Sequence, residues 1–224
     1  MRRKLQESIM STPDLPTGFT ELEYLESTGT QWIDTEVLMG NDTVIACKAM
    51  ATSVSTNANN YLYGLSNTEA NCIVTVRHQT PTTFTAQIGT YFSADYNKFE
   101  TYFQNMSLGT MLEVSTNGAA SVTLNNITKQ AQYPAEWTAP NMAIPIFKSR
   151  NSIAFDGAGT ILGKSYYKLY NFTITNGYEK QRDLIPMLDA TGKPCMFDLV
   201  SRQCFYNKNT SGEDFKYKIK ASSN

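Results

Sequence analysis

The chain carries a single histidine, His78, so any Ser/His or Cys/His nucleophilic mechanism has to run through it. Its setting, Val76-Arg77-His78-Gln79-Thr80-Pro81, reads as a strand end entering a turn ahead of proline. Such a place suits a structural hydrogen bond better than a general base. Glycoside hydrolysis needs two carboxylates flanking one bond. Glu21 and Glu23 are spaced by two, but they sit at the edge of a Pro/Gly-rich leader with no third acid beside them, and Asp95, Glu100 and Glu113 stand alone. Cys47, Cys72, Cys195 and Cys204 form no CxxC pair, and with one histidine the ligand spacing of a zinc site is missing. Phe155-Asp156-Gly157-Ala158-Gly159-Thr160 reads as a turn that precedes no helix, so no phosphate loop is expected. These residues argue against an enzyme.

Binding chemistry is better supplied. Sugar recognition uses aromatic faces for stacking and amide or carboxylate forks for hydroxyls. The stretch from about 51 to 145 is richer in Asn and Thr than its flanks and carries both kinds of group. Asn57, Asn59, Asn60, Tyr61, Tyr63, Tyr91, Tyr96, Tyr102 and Trp137 are its recognition-type residues, and the ligand-binding candidates drawn from them are Asn60, Tyr61, Tyr63, Tyr96, Tyr102 and Trp137. The plain alternative is that the tyrosines are core residues with a polar tip. Trp137 lies between Pro134 and Pro140 on a loop, as a ligand platform or as a loop anchor. Trp32 falls in a strand-like block and is expected in the core, with Tyr24 and Phe197 as neighbours. No cofactor is expected. Calcium is the one metal left open, through Asp42, Asp156 and Asp214, although no dense D-x-D-x-D loop gathers them. The four thiols read as buried and reduced, with a Cys195–Cys204 disulfide across a hairpin as the alternative.

The elements that must position these groups are strands. Only 17% of the residues are charged, below the roughly 25% usual in soluble domains. Uncharged polar residues, 13 Tyr and 11 Phe make up the balance, a mixture that favours strands joined by polar loops. With 19 basic and 20 acidic residues there is no phosphate-tracking face, so nucleic acid is not an expected partner. No run is long enough to span a membrane. The basic opening Met1-Arg2-Arg3-Lys4 lacks the apolar core of a signal peptide, because Gln6, Glu7 and Ser8 interrupt it.

Alternating runs recur at 31–35, 43–50, 72–76, 82–88, 111–115, 121–124, 165–175 and 181–188, and 216–220 reads as a terminal strand. The segments 111–115 and 121–124 flank Asn117-Gly118 and read as a hairpin. No stretch holds a 3.6-residue apolar period, and no internal repeat is present. The expected organisation is a flexible N-terminal arm over 1–20, one all-β domain over 21–219 and a disordered tail over 220–224.

Two segments then resemble a known family. Leu22-Glu23-Tyr24-Leu25-Glu26-Ser27-Thr28-Gly29-Thr30-Gln31-Trp32-Ile33-Asp34-Thr35 is similar to the opening block of LamG-like, concanavalin A-type domains of phages, prophages and gut-bacterial surface proteins. Arg182-Asp183-Leu184-Ile185-Pro186, with Cys195-Met196-Phe197-Asp198-Leu199-Val200-Ser201-Arg202-Gln203-Cys204-Phe205-Tyr206-Asn207, resembles that family's closing block. Two departures stand out: Glu36 replaces the glycine usual after the first block, so a different turn is expected there, and Cys195 replaces a glycine in the second, which argues that no positive φ is needed at that position. The resemblance implies a two-sheet antiparallel β-sandwich of the concanavalin A-like jelly-roll kind, with its first and last strands close together. It leaves the ligand to be argued from a site, since that scaffold carries lectins, glucanases and inert modules alike. The E-x-D-x-x-E strand pattern of the related glucanases is missing here. The expectation that follows is a non-catalytic binding or structural module associated with a phage virion: a head or tail fibre, a decoration protein or an adhesin. Surface glycans or other virion proteins are its expected partners, with a homo-oligomer as an open possibility, at a virion or extracellular surface. A free-standing bacterial or prophage lectin is the alternative, and a divergent glycoside hydrolase a more distant one.

Overall fold

The computed structural model describes residues 15–54, 60–67, 72–90, 100–118, 120–131, 142–152 and 160–221. Among them are eighteen strands and no helix. In chain order they are β1 (Thr20–Thr28), β2 (Ile33–Leu38), β3 (Thr43–Ala51), β4 (Asn60–Asn67), β5 (Cys72–Thr80), β6 (Thr83–Thr90), β7 (Glu100–Gln104), β8 (Met111–Asn117) and β9 (Ser121–Leu124). They continue with β10 (Ile127–Gln130), β11 (Ala143–Ile146), β12 (Ser149–Ser152), β13 (Thr160–Leu162), β14 (Tyr166–Asn176), β15 (Glu179–Leu188), β16 (Pro194–Asp198), β17 (Cys204–Phe205) and β18 (Lys216–Ile219).

The strands form two sheets. Ten run in the order β10-β9-β8-β3-β14-β1-β15-β16-β17, with β18 beside β1. The other eight are built on β13-β12-β4-β5-β6-β7, with β11 joining β2 to β4. Among the described strands every ladder is antiparallel except β4 with β12, which is parallel, and Asn60 also makes an isolated parallel bridge to Lys164. The expected fold class, an all-β two-sheet sandwich, is the one observed, and the first and last strands do pair, β1 with β18.

Side-chain alternation places the core. Along β3, Thr43, Ile45, Cys47, Ala49 and Ala51 are buried while the residues between them are half-exposed. On β14 the buried set shifts phase, from Tyr167 and Leu169 to Phe172 and Ile174. A bulge between Leu169 and Asn171 makes the shift, with Tyr170 as the extra residue. Without that residue a one-position slip would send one half of the strand's apolar set to solvent. The inner faces meet in one continuous core, where Tyr63 stands edge-on to Phe172 at 5.5 Å and its hydroxyl lies 3.1 Å from Thr116 Oγ1 across the sheets. Tight turns carry the required backbone: Asn125 and Asn126 both have positive φ (47° and 68°) between β9 and β10, the geometry of a two-residue hairpin.

Three expectations change. Trp32 is half-buried and is not in the core. Strand β2 starts at Ile33 with Ile33 and Thr35 inward, so alternation turns Trp32 outward, while Phe197 partners Phe19 and Tyr24 partners Tyr170. The end of the expected arm is docked: Leu15 and Phe19 pack on a small core of Met187, Cys195 and Phe197. Residues 1–14 lie outside the described residues. Glu36 keeps a φ of 60°, the left-handed conformation that glycine adopts freely, so the departure from glycine leaves the backbone turn in place. Cys195, by contrast, runs as regular strand within β16.

Candidate ligand-binding site

The two family-like blocks are knitted to each other and to the fold. Ser27 Oγ donates to Ser165 O at 3.0 Å, and Gln31 Nε2 reaches the carbonyls of Glu213 and Asp214. Asp34 takes Arg150 at 2.7 Å, and Thr35 Oγ1 donates to Ile144 O. Asp198, wholly buried, accepts from the backbone N–H groups of Asp183, Val200 and Ser201 and from the Ser201 hydroxyl, with Arg182 at 3.7 Å. Burial alone would raise its pKa, but those donors outweigh it and hold the carboxyl below the usual range. These contacts close the sandwich.

His78 is structural as well. It is fully buried. Nε2 lies 2.9 Å from Met106 O, which can only accept, so Nε2 carries the proton. Nδ1 is then the acceptor for the Tyr167 hydroxyl at 3.0 Å, and that oxygen in turn receives the His78 backbone N–H at 2.8 Å. Burial pushes the imidazole pKa below its ordinary value, opposed by the bond to Met106. Neutral and committed at both nitrogens, it has no proton relay to offer.

The predicted ligand residues separate. Asn60 is fully buried, with Nδ2 donating to Ser53 O and Oδ1 accepting from Tyr166 N–H. Tyr63 is a core residue whose ring and hydroxyl are both taken. Neither can meet a ligand, because strand β4 turns them toward the core and the crossing of β14. Tyr61 lies on the opposite face of β4, 8% exposed, with Arg77 stacked on its ring at 5.7 Å and hydrogen-bonded to its hydroxyl. The register runs Tyr61, Arg77, Thr85, Tyr102 across β4, β5, β6 and β7. Tyr61 and Tyr102 therefore share one row, whose Tyr61, Arg77 and Thr85 side chains are all buried. The Tyr102 side chain, with Tyr91, Tyr96, Trp137, Asn57 and Asn59, lies outside the described residues. The calcium candidates are not brought together: Asp42 sits by Gly177 at one end of β14, Asp214 by Gln31 at the other, and Asp156 lies outside the described residues. Among the described residues no three His, Cys, Asp or Glu side chains form a metal-binding group.

An open hollow of about 460 Å³, with polar and apolar lining, lies on the outer face of the ten-stranded sheet. Two rows of the ladder build its floor. Glu113, Lys48 and Asn171 pair across β8, β3 and β14; Thr123, Ser115, Ala46, Thr173 and Asp183 pair across β9, β8, β3, β14 and β15. Asn126, Ile185, Cys47 and Val114 complete the lining. The volume is within the range of small-molecule sites. Lys48 and Glu113 form an exposed ion pair at 3.7 Å, and Asp183 pairs with Lys180 at 2.8 Å. The hollow thus offers hydroxyls, amides and charges of both signs, arranged by strands. Glu113 and Asp183 are three strands apart, about 14 Å at a spacing of about 4.8 Å. That exceeds the roughly 5–10 Å of a hydrolytic carboxylate pair. On the same face, at the β14 bulge, Tyr170 stands edge-on to Tyr24 at 5.7 Å, with Lys168 Nζ 4.4 Å from the Tyr24 ring centroid. Sequence alone missed this site because its residues are scattered over five strands; the only trace is the polar half of each alternating run.

No protein-family model matches the chain, and no curated protein matches it. Among solved structures, the crystal structure of Scytalido-glutamic peptidase with a peptide-based transition-state analog is similar at 15% identity and a TM-score of 0.40, over 87% of this chain and 99% of that one. A likeness at that level carries no argument about activity.

Proposed function

We propose that this protein is a non-catalytic binding module of the LamG-like kind whose ligand, a neutral glycan, seats in the hollow on the outer face of the ten-stranded sheet. The open hollow carries the proposal. Its Ser115 hydroxyl, Asn126 amide and Asn171 Nδ2 suit the donors and acceptors of vicinal sugar hydroxyls, while the Thr173 hydroxyl donates to Ala46 O, that of Thr123 pairs with Thr128 and Asn171 Oδ1 accepts from Lys48 N–H. Two carboxylates against one ammonium disfavour phosphates and other anions. Ile185 supplies an apolar patch within the hollow, and the Tyr24/Tyr170 pair an aromatic edge beside it. A virion-associated setting, with surface glycans or other virion proteins as partners, rests on the family resemblance of the two terminal blocks.

The test is a glycan-array screen of the full chain beside two variants. Ser115→Trp fills the hollow from an outward position, and Tyr61→Ala removes a candidate on the other sheet. Selective glycan retention that falls at least tenfold in Ser115→Trp, with an unchanged thermal midpoint, is the expected result. Retention that survives Ser115→Trp and falls in Tyr61→Ala would move the seat to the eight-stranded sheet. A blank array, with the chain in a stable oligomer, would overturn the glycan reading and favour a structural virion part.

A further inference from the structure

Strands β16 and β17 pair Met196 with Phe205 and Phe197 with Cys204. Residues directly opposite in a ladder share a face, as do residues two apart along a strand. Cys195, Phe197 and Cys204 therefore point to one side of this hairpin, into the small core on which Leu15 and Phe19 dock. The Cys195 thiol donates to Cys204 Sγ at 2.8 Å. Two thiolates on one tetrahedral zinc would be about 3.8 Å apart, from a Zn–S distance of about 2.3 Å, so the pair is too close to share a metal. Closing to the disulfide distance of about 2.05 Å takes a movement of under about 1 Å. Cys195 is fully buried and Cys204 is half-exposed, which gives the two thiols different parts.

We propose that Cys195 and Cys204 form an oxidisable dithiol that closes to a disulfide by exchange with a small-molecule disulfide such as oxidised glutathione. Cys204, as thiolate, attacks one sulfur of the reagent; the reagent's S–S bond breaks, and the departing thiolate takes up the proton Cys204 lost. Cys195 then gives up its proton and attacks Cys204 Sγ in the mixed disulfide, expelling the second thiol. The protein loses two protons and two electrons, which reduce the reagent to two thiols, so no metal or oxygen is needed. Burial pushes the Cys195 thiol well above its ordinary pKa, which makes the second attack the slower one. The bond would tie β16 to β17 directly beneath the docked segment 15–19.

The full-length protein is incubated with oxidised glutathione at a ratio that oxidises dithiothreitol, then denatured, alkylated and weighed. The expected result is a mass two hydrogens lower with no glutathione adduct, alkylation falling from four thiols to two, and a linked peptide containing Cys195 and Cys204. The thermal midpoint should rise by roughly 5–10 °C, from the entropy of closing a short loop. Cys195→Ser should stop at a glutathione adduct on Cys204, and Cys204→Ser should leave the buried Cys195 unmodified. Four alkylated thiols in the treated wild type, a lasting wild-type adduct on Cys204, or a linkage through Cys47 or Cys72 would each overturn the proposal.

Discussion

Replacing Asp198 with alanine tests how far the closing hairpin depends on one carboxylate. In the native protein Oδ1 accepts from Asp183 N–H at 2.8 Å and Val200 N–H at 3.2 Å, and Oδ2 accepts from Ser201 N–H at 3.1 Å and Ser201 Oγ at 2.7 Å. Val200 and Ser201 are exposed, so their N–H groups can turn to water at a loss of about 0.5 kcal/mol each. Asp183 N–H is partly buried in the β15 ladder and cannot, which costs about 1–2 kcal/mol. Arg182, 18% exposed, also loses its charge partner at 3.7 Å. The sum is about 3 kcal/mol, or roughly 6–12 °C in Tm for a chain of this size. Asp198→Asn keeps an acceptor toward Asp183 and Val200 and should lose about half as much, while Ser201→Ala, short of one bond to the carboxylate, should lose about 1 kcal/mol. Urea unfolding followed by tryptophan fluorescence ranks the three. The pH response has a definite sign. The folded carboxyl lies below its ordinary value of 3.8, so its contribution is present above that pH and lost as pH falls through the folded pKa. Asp198→Asn should therefore flatten the acid limb of the stability curve. An alanine variant within 1 kcal/mol of wild type, or no steeper a penalty than Ser201→Ala, would refute this account of the turn.

Two further outcomes follow from other sites. Because burial lowers the pKa of His78 below its ordinary 6.5, the unfolded chain takes up a proton first, and stability should fall as pH drops below 6.5. A proton NMR titration of this single imidazole should give a midpoint below 6.5, and a midpoint at or above that value would contradict its closed setting. At Gly64 a Cβ would stand 2.8 Å from Thr75 Cα, Cβ and Cγ2, so Gly64→Ala should force β4 and β5 apart and cost about 1–3 kcal/mol; a neutral or stabilised variant in thermal unfolding would show that the strands are less closely apposed.

Much of the fold was legible because strand alternation and turn chemistry are local. Thr43–Ala51, Ser121–Leu124 and the Asn117-Gly118 hairpin could be read from short-range pattern, since period-two burial and positive-φ turns depend on neighbouring residues alone. The absence of CxxC pairs, of clustered acids and of a second histidine was equally local information. What the linear pattern could not give was the face each residue shares. Asn60 and Tyr63 looked like ligand groups by type, yet β4 turns both inward, and Trp32 looked like core, yet Gln31, Ile33 and Thr35 take the inward positions of that run. The hollow on the ten-stranded sheet arises from register between strands, whereas the approach of Cys195 to Cys204, nine residues apart across a short hairpin, was already an alternative in the sequence. Register is set by long-range pairing and by devices such as the β14 bulge at Tyr170, which no single strand's sequence encodes. Residue types thus limited which chemistry this protein can carry, and tertiary pairing alone decided which of those residues stand side by side.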